Sequence, residues 1–492
     1  MSSSDSTVNK VGNPFTEAKT PAELITLISK HDIEFVNLRF CDLTGAMLNF
    51  TIAARDFDED AFTLGLPFDG SSVRGFQQIN ESDLAILPDP TSATIDPFRD
   101  RPTVVILASV HQPITMAEYT KDTRTIARKA EEHLRASGVA DTAYFGPEAE
   151  FFIFDSVRFG QDMNSSFHEI DSVAGSWNSD RDVESDGGPN QGYKLPVKGG
   201  YFVLPPGDKF QDLRGEMFVA LEEMGIQCEV QHHEVGTAGQ GEIDMKFDSL
   251  VNMADKVQMY KYVVKNVAFD AGYSATFMPK PLFGDNGSGM HIHQSLWKDG
   301  TNLFYDPNGE GHLSQLALHY IAGIIEHGKA LCAFTNPTTN SYRRLTPGFE
   351  APNMLVYSQR NRSAAIRIPL VRATAVATRV EFRTPDPMAN PYLAFPALMM
   401  AGLDGIKRGL MPPEPANFDL FEASEEQLKD IKVAPDSLGA ALDALREDHE
   451  FLLEGDVFTA DVIEEWIAQK TEDVDAVRLR PHPYEFSMYY DA

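Results

Sequence analysis

Apolar and polar side chains alternate with a period of two in four short stretches of this chain, and with a period near 3.6 in longer ones. The first pattern predicts strands with one apolar face, the second amphipathic helices. Thr20-Pro-Ala-Glu23 joins a capping box to a proline at the first helical position, and predicts a helix through Leu24, Ile25, Leu27 and Ile28. A strand pair is expected over 33–40 and 46–52 across the turn Asp42-Leu-Thr-Gly45, then strands over 84–87 and 103–110. Pro88, Pro90, Pro97 and Pro102 punctuate the stretch between the last two. These elements predict a small α+β domain over 16–115, behind a polar, disordered terminus at 1–15.

The remainder, 116–492, reads as one large domain. A helix is expected from Met116 to Ala136, and helical patterns return over 211–224, 248–269 and 313–334. Residues 155–200 are rich in Asp, Ser, Asn and Gly and read as a long exposed insertion. Ser424-Glu-Glu-Gln427 is a second capping box, Leu438, Leu442 and Leu445 mark another helix, and Val462, Ile463, Trp466 and Ile467 mark the last. The tail at 478–492 carries Tyr484, Phe486, Met488, Tyr489 and Tyr490, an apolar ending expected to dock on something. A segment folded back on its own subunit is the alternative.

The period-two stretches carry the chemistry. Glu148 and Glu150 share a strand face, as do His291 and His293, and as do Arg379, Glu381 and Arg383. Phe151, Phe152, Ile292, Val380 and Phe382 stand between and beside them, which predicts a sheet with an apolar back and a charged front. His233, Glu234 and Glu242 lie in Gln231-His-His-Glu-Val-Gly-Thr-Ala-Gly-Gln-Gly-Glu242, and Glu242-Ile-Asp-Met-Lys-Phe247 repeats the alternation. Any single pair is explained by a solvated strand face. Four such strands together are not, because converging carboxylates repel unless cations neutralise them. Carboxylates gathered beside arginines point to metal and anion bound together.

Bulk composition narrows the class without changing that picture. At 492 residues, with 42% hydrophobic and 23% charged residues, the chain is an ordinary globular sequence. The formal net charge of −31 argues against a nucleic-acid partner, whose phosphates it would repel. It leaves open a general acidic bias or a saline habitat. No run of about 18 apolar residues exists, so no membrane partner is expected. No secretory signal is visible, and Cys41, Cys228 and Cys332 stand far apart, which together predict a cytoplasmic location without disulfides.

From about residue 30 to the C-terminus, the ordered set of motifs resembles glutamine synthetase of the long bacterial type. The pieces are Gly146-Pro-Glu-Ala-Glu-Phe-Phe152, His232-His-Glu-Val235, Asn286-Gly-Ser-Gly-Met-His-Ile-His293, Asn340-Ser-Tyr-Arg-Arg-Leu-Thr-Pro-Gly-Phe-Glu-Ala-Pro352, Asn361-Arg-Ser363 and Arg379-Val-Glu-Phe-Arg-Thr-Pro-Asp386. The resemblance implies a β-grasp N-terminal domain and a curved antiparallel catalytic sheet backed by helices. It implies ATP-dependent ligation of ammonia to L-glutamate through a γ-glutamyl phosphate, with glutamate, ammonium and ATP as partners. One metal would be held by Glu150, Glu234 and Glu242 and another by Glu148, His291 and Glu381, an oxygen-rich set that suits two Mg²⁺ or Mn²⁺ per subunit.

Other positions carry over in the same way. Asn286, Gly287, Arg344, Glu350 and Arg383 match contacts to glutamate, and Glu229, His293, Ser295, Arg362, Arg367 and Arg379 match contacts to ATP. Arg362 would stabilise the transferring phosphoryl group, Glu350 would close a flap over the intermediate, and Asp69, contributed by a neighbouring subunit, would bind ammonium and take its proton. The family assembles as a dodecamer of two stacked hexamers, which the tail would join. Two departures stand out: Phe421 replaces a tyrosine that carries AMP in regulated members, and Val376 replaces a nucleotide-side lysine. The first predicts an enzyme not controlled by adenylylation. A ligase for another amine, or a catalytically silent ring, are the competing readings; retention of Asp69 and Glu350 favours ammonia.

Overall fold

The computed structural model describes residues 13–183, 187–346, 352–359, 361–369, 374–418, 420 and 422–492. Within the small domain the strands lie in the order Met47–Ala53, Phe35–Cys41, Thr103–His111, Asp83–Pro88, Leu66–Asp69. Phe35–Cys41 and Thr103–His111 run parallel; the other neighbours are antiparallel. The helix Pro21–Lys30 forms as its capping box predicts, Glu23 N–H donating to Thr20 Oγ1 and Thr20 N–H to the Glu23 carboxylate. It buries Leu24 and Ile28 in a core with Val36, Leu38 and Ile106. The polar terminus ends earlier than expected: Phe15 is fully buried in this core, because Asn13 caps the turn Pro14–Glu17 and turns the ring inward.

The large domain is built on two sheets. One has the order Asp248–Ser249, Thr142–Ala149, Met290–Lys298, Val380–Phe382, Ala364–Ile368, Met354–Gln359, antiparallel but for its last pair. The other has the order Cys228–His233, Gln240–Met245, Phe151–Phe154, Ser274–Thr276, antiparallel throughout. The apolar back of the first sheet meets the buried helix Pro391–Arg408, with Phe145 stacked on Phe395 at 4.8 Å. Helices Gln315–Glu326 and Thr123–Ser137 pack on that helix in turn.

Several elements differ from their expected limits. The helix expected from Met116 begins at Thr123, since Asp122 caps it through Thr125 N–H. The insertion contains an exposed hairpin, Ser156–Gln161 with Ser166–Asp171, whose last residue gathers Trp177, Asn178 and Arg181. The aromatic tail forms a helix, Pro483–Tyr489, with Tyr484, Phe486, Met488 and Tyr489 all half-exposed or more, so the folded-back alternative fails in the single chain. Among the described residues no helix is long and apolar enough to cross a membrane.

The helix expected over 313–334 breaks at His327 into Gln315–Glu326 and Gly328–Thr335. His327 is buried, stacks on Phe451 at 3.9 Å, and bonds Asp404 at 2.8 Å and Asp448 at 2.9 Å. Burial opposes its charge, but the two carboxylates prevail and raise its pKa. A pKa raised in the folded state gives stability that is complete below the unfolded value of about 6.5 and is lost as pH climbs through the folded one. We therefore expect His327→Gln to cost about 2 kcal/mol near pH 6, discounted for the half-exposed Asp448, and clearly less near pH 9. Unfolding midpoints of both proteins at the two pH values check this; a cost independent of pH would refute it.

Candidate active site

Strand register assembles what the alternation only suggested. His291 pairs across from Glu148, and His293 lies between Gly146 on one side and Glu381 on the other. Arg367 pairs across from Glu381. One polar row therefore runs over three strands. One donor atom each from Glu148, His293 and Glu381 lie within 4.8 Å of one another, and His291 Nδ1 stands 3.2 Å from Glu148 and 4.0 Å from Glu381. Glu381 is wholly buried, held by Arg367 Nε and Arg383 Nη1 at 2.5 Å each.

A second group forms on the neighbouring hairpin, where His232, Glu234 and Glu242 bring one donor each within 4.8 Å. His232 faces Glu242 across the ladder and sits two residues before Glu234. Its two-residue spacing from Glu234 was the available signal, but the motifs did not single it out. Glu150 does not share a regular strand with Glu148 as the alternation predicts. It falls at the break between Thr142–Ala149 and Phe151–Phe154, one strand in each sheet, so it can turn toward the glycine-rich loop. There its Oε2 accepts from Gly289 N–H at 2.9 Å and Gln240 Nε2 at 3.0 Å.

Among the described residues, the clustered carboxylates crowd one another. Burial pushes the Glu150 carboxyl up to about 7, against the Gly289 hydrogen bond and the charges of Arg344 and Arg383. Burial and the neighbours Asp244, Glu148, Glu150 and Glu234 drive Glu242 well above the usual carboxylate range. Burial also opposes charge on Glu148, yet His293 and His291 hold it well below that range. Burial and Arg383 lower His291 to about 4, leaving its imidazole neutral with a lone pair to give. Mutually repelling carboxylates with one neutral imidazole fit hard divalent cations, whose oxygen ligands stand about 2.0–2.6 Å away.

A polar cradle lies beside these groups. Asn286 Oδ1 and Arg383 Nε are buried without a partner among the described residues. Arg344 is buried, its guanidinium spread over the carbonyls of Arg383, Thr384 and Pro385. Glycine is required here: a Cβ on Gly287 would stand 2.3 Å from Pro279 O, and one on Gly289 2.6 Å from Arg344 Nη2. Asp285, not singled out by the motifs, ties three loops by accepting from Lys198, Thr237 and Asn286 N–H.

Arg379 Nε donates to His293 Nδ1 at 3.1 Å, Ser295 Oγ accepts from Trp297, Glu229 is exposed on its strand, and Arg362 is exposed after the Met354–Gln359 strand. Asp69 ends an edge strand of the small domain, exposed; its hydrogen bonds among the described residues are to Ser71 and Ser72. Glu350 and Phe421 lie outside the described residues, and Val376 is exposed.

A small mixed sheet in one domain, and carboxylates, imidazoles and arginines carried by two sheets in the other, fit an enzyme that handles divalent cations with an anionic substrate. Comparison with known proteins is consistent from residue 32 to residue 489. Residues 32–113 match the description "Glutamine synthetase, beta-Grasp domain" and 120–489 "Glutamine synthetase, catalytic domain". The glutamine synthetase of Frankia alni is 56% identical, covering 97% of this chain and all of the relative. That of Mycolicibacterium smegmatis is 55% identical, covering 96% and 99%. A solved Plasmodium falciparum glutamine synthetase superposes with a TM-score of 0.88 at 31% identity, covering 96% and 99%. A solved GmaS–ADP complex does so at 0.79 and 27%, covering 95% and 99%. The chain belongs to the glutamine synthetase family, from which follow ATP-dependent ligation of ammonia to glutamate and the use of a divalent metal.

Proposed function

We propose that this chain makes γ-glutamyl phosphate and then glutamine at a site with two divalent cations, Mg²⁺ or Mn²⁺, completed by Asp69 of a neighbouring subunit. The two carboxylate–imidazole groups on adjacent sheets, flanked by the buried Asn286, Arg344 and Arg383, are the observation that carries it. Glu150, Glu234 and Glu242 would hold one cation, with His232 beside them, and Glu148, His291 and Glu381 the other. His291 suits the second set better than His293. His293 Nδ1 already accepts from Arg379, so its Nε2 carries the proton that it donates to Glu148, 2.7 Å away. Bound there, the cations would offset negative charge on the nucleotide and on the transferring phosphoryl group.

The chain's own groups do the rest. Asn286 Oδ1 and Arg383 Nε, without partners among the described residues, would hold the amino-acid substrate, with Gly287 allowing close backbone approach. Arg367 and Arg379 line the nucleotide side, with Glu229, His293 and Ser295. The ADP of the GmaS complex, a protein of the same fold, supports a nucleotide side in this chain. Arg362, exposed at the rim, would close on the phosphoryl group, and Glu350 would shield the acyl phosphate from water. Asp69 would bind ammonium as a cation and take its proton. Its exposure at a sheet edge suits a contribution to another subunit. The half-exposed aromatic helix Pro483–Tyr489 suits a dodecamer of two hexamers, in the cytoplasm.

Phosphate release from ATP with Mg²⁺ and glutamate tests this. It is expected to require ammonium and to yield glutamine. Release driven by another amine alone, or none from an intact oligomer with either metal, would overturn it.

A further inference from the structure

Gln240 is buried, and its carboxamide joins three pieces of the site. Oε1 accepts Gly236 N–H at 2.7 Å. Nε2 donates to Glu150 Oε2 and to the Gly287 carbonyl, each at 3.0 Å. The amide orientation is forced: the Gly236 N–H offers only a donor, while the Gly287 carbonyl offers only an acceptor. The Gln240 backbone carbonyl also accepts Glu234 N–H at 3.0 Å, closing the turn that carries Glu234. One side chain thus touches the Glu150 carboxylate, the Gly287 turn and the Glu234 turn.

We infer that Gln240 is a positioning residue that couples the Glu150 cation site to the glutamate-binding turn. It rests on the proposed role of Glu150 as a ligand. Glu150 Oε2 takes both the Gly289 and Gln240 hydrogen bonds, which leaves Oε1 without a hydrogen bond among the described residues and able to face a cation. A ligand carboxylate held by such partners is fixed in rotamer, and removal of an outer partner typically weakens metal binding 10–100-fold. The second N–H of the same amide holds the Gly287 carbonyl. Asn286, whose Oδ1 has no partner among the described residues, precedes it in that turn. Loss of the amide should therefore loosen the cation and the amino acid together and leave the nucleotide side alone.

Mn²⁺ titration of the metal-stripped full-length protein, followed by electron paramagnetic resonance, reads the cation without turnover. For Gln240→Met, which keeps the volume and removes the donors, one class of Mn²⁺ site is expected to weaken 10–100-fold while the other is unchanged. KM for glutamate should rise in the same variant, and KM for ATP should not. If Met at this position prevents folding, Gln240→Asn, too short to span both acceptors, reads the same split. Weakening of both classes alike, or a matching rise in KM for ATP, would reduce Gln240 to a packing residue. No change in either class would also overturn the inference. Glu150→Gln run in parallel separates the two claims. If it leaves the same class intact, the ligand assignment of Glu150 fails; if it weakens that class and Gln240→Met does not, only the coupling fails.

Discussion

Replacing Glu148 by glutamine is expected to lower kcat about a thousandfold, equivalent to about 4 kcal/mol of transition-state stabilisation. The change conserves size on a well-formed strand and removes one charge. That charge sits at a crossing point: Glu148 faces His291 across the ladder and lies 2.7 Å from His293 Nε2. His293 and His291 hold its carboxyl well below the usual range against burial, which favours the ionised form that meets a cation. Loss of uniform binding alone would raise KM and spare kcat, whereas loss of charge stabilisation during phosphoryl transfer lowers kcat. A second readout is independent of turnover. Saturating Mg²⁺ should raise the unfolding midpoint of the unmodified protein, because a ligand that binds only the folded state stabilises it by about 2.7 kcal/mol at a hundred times its Kd. Glu148→Gln should lose much of that increment. A variant within tenfold of the parent kcat, with the increment intact, would remove Glu148 from the cation site.

Asp69→Ala should cost about a hundredfold or more in kcat/KM for ammonium, the usual contribution of a positioned acid or base. The more informative result comes from mixing it with Glu148→Gln. Asp69 belongs to the small domain, where it is exposed and bonded to Ser71 and Ser72, while Glu148 belongs to the catalytic sheet. If each site takes Asp69 from a neighbour, a mixed ring forms some sites with both residues intact. In an equal random mixture, half the catalytic sheets are intact and half of their neighbours carry Asp69, so about a quarter of full activity should return. Co-expressed variants purified as one oligomer provide the measurement. Activity no greater than the two parents combined would place Asp69 and Glu148 in separate functions or in one subunit.

Local patterns were legible wherever the physics is local. The capping box at Thr20–Glu23 and the period-two faces of Glu148, His291–His293 and Arg379–Arg383 concern residues within a turn or a pleat of each other, so spacing alone exposes them. The same locality explains the errors. The pleat puts Glu150 beside Glu148, but the chain changes sheets there. His327 falls within a continuous helical pattern and yet breaks the helix, held by Asp404 and Asp448, which are remote in sequence. Phe15 sits in a polar terminus and is buried all the same, because a core across the small domain accepts it.

From sequence alone came the residue types, their faces and their family, since each depends on short-range order along the chain. Only the tertiary structure decided the register that sets His291 against Glu148 and His293 against Glu381. It also decided the tautomer of His293, the burial of the Asn286 and Arg383 side chains, and the reach of Gln240 across three loops. Those features depend on contacts between segments up to 145 residues apart, as for Glu148 and His293. Their formation is paid for by the burial of the whole core, and no window of the sequence contains that term.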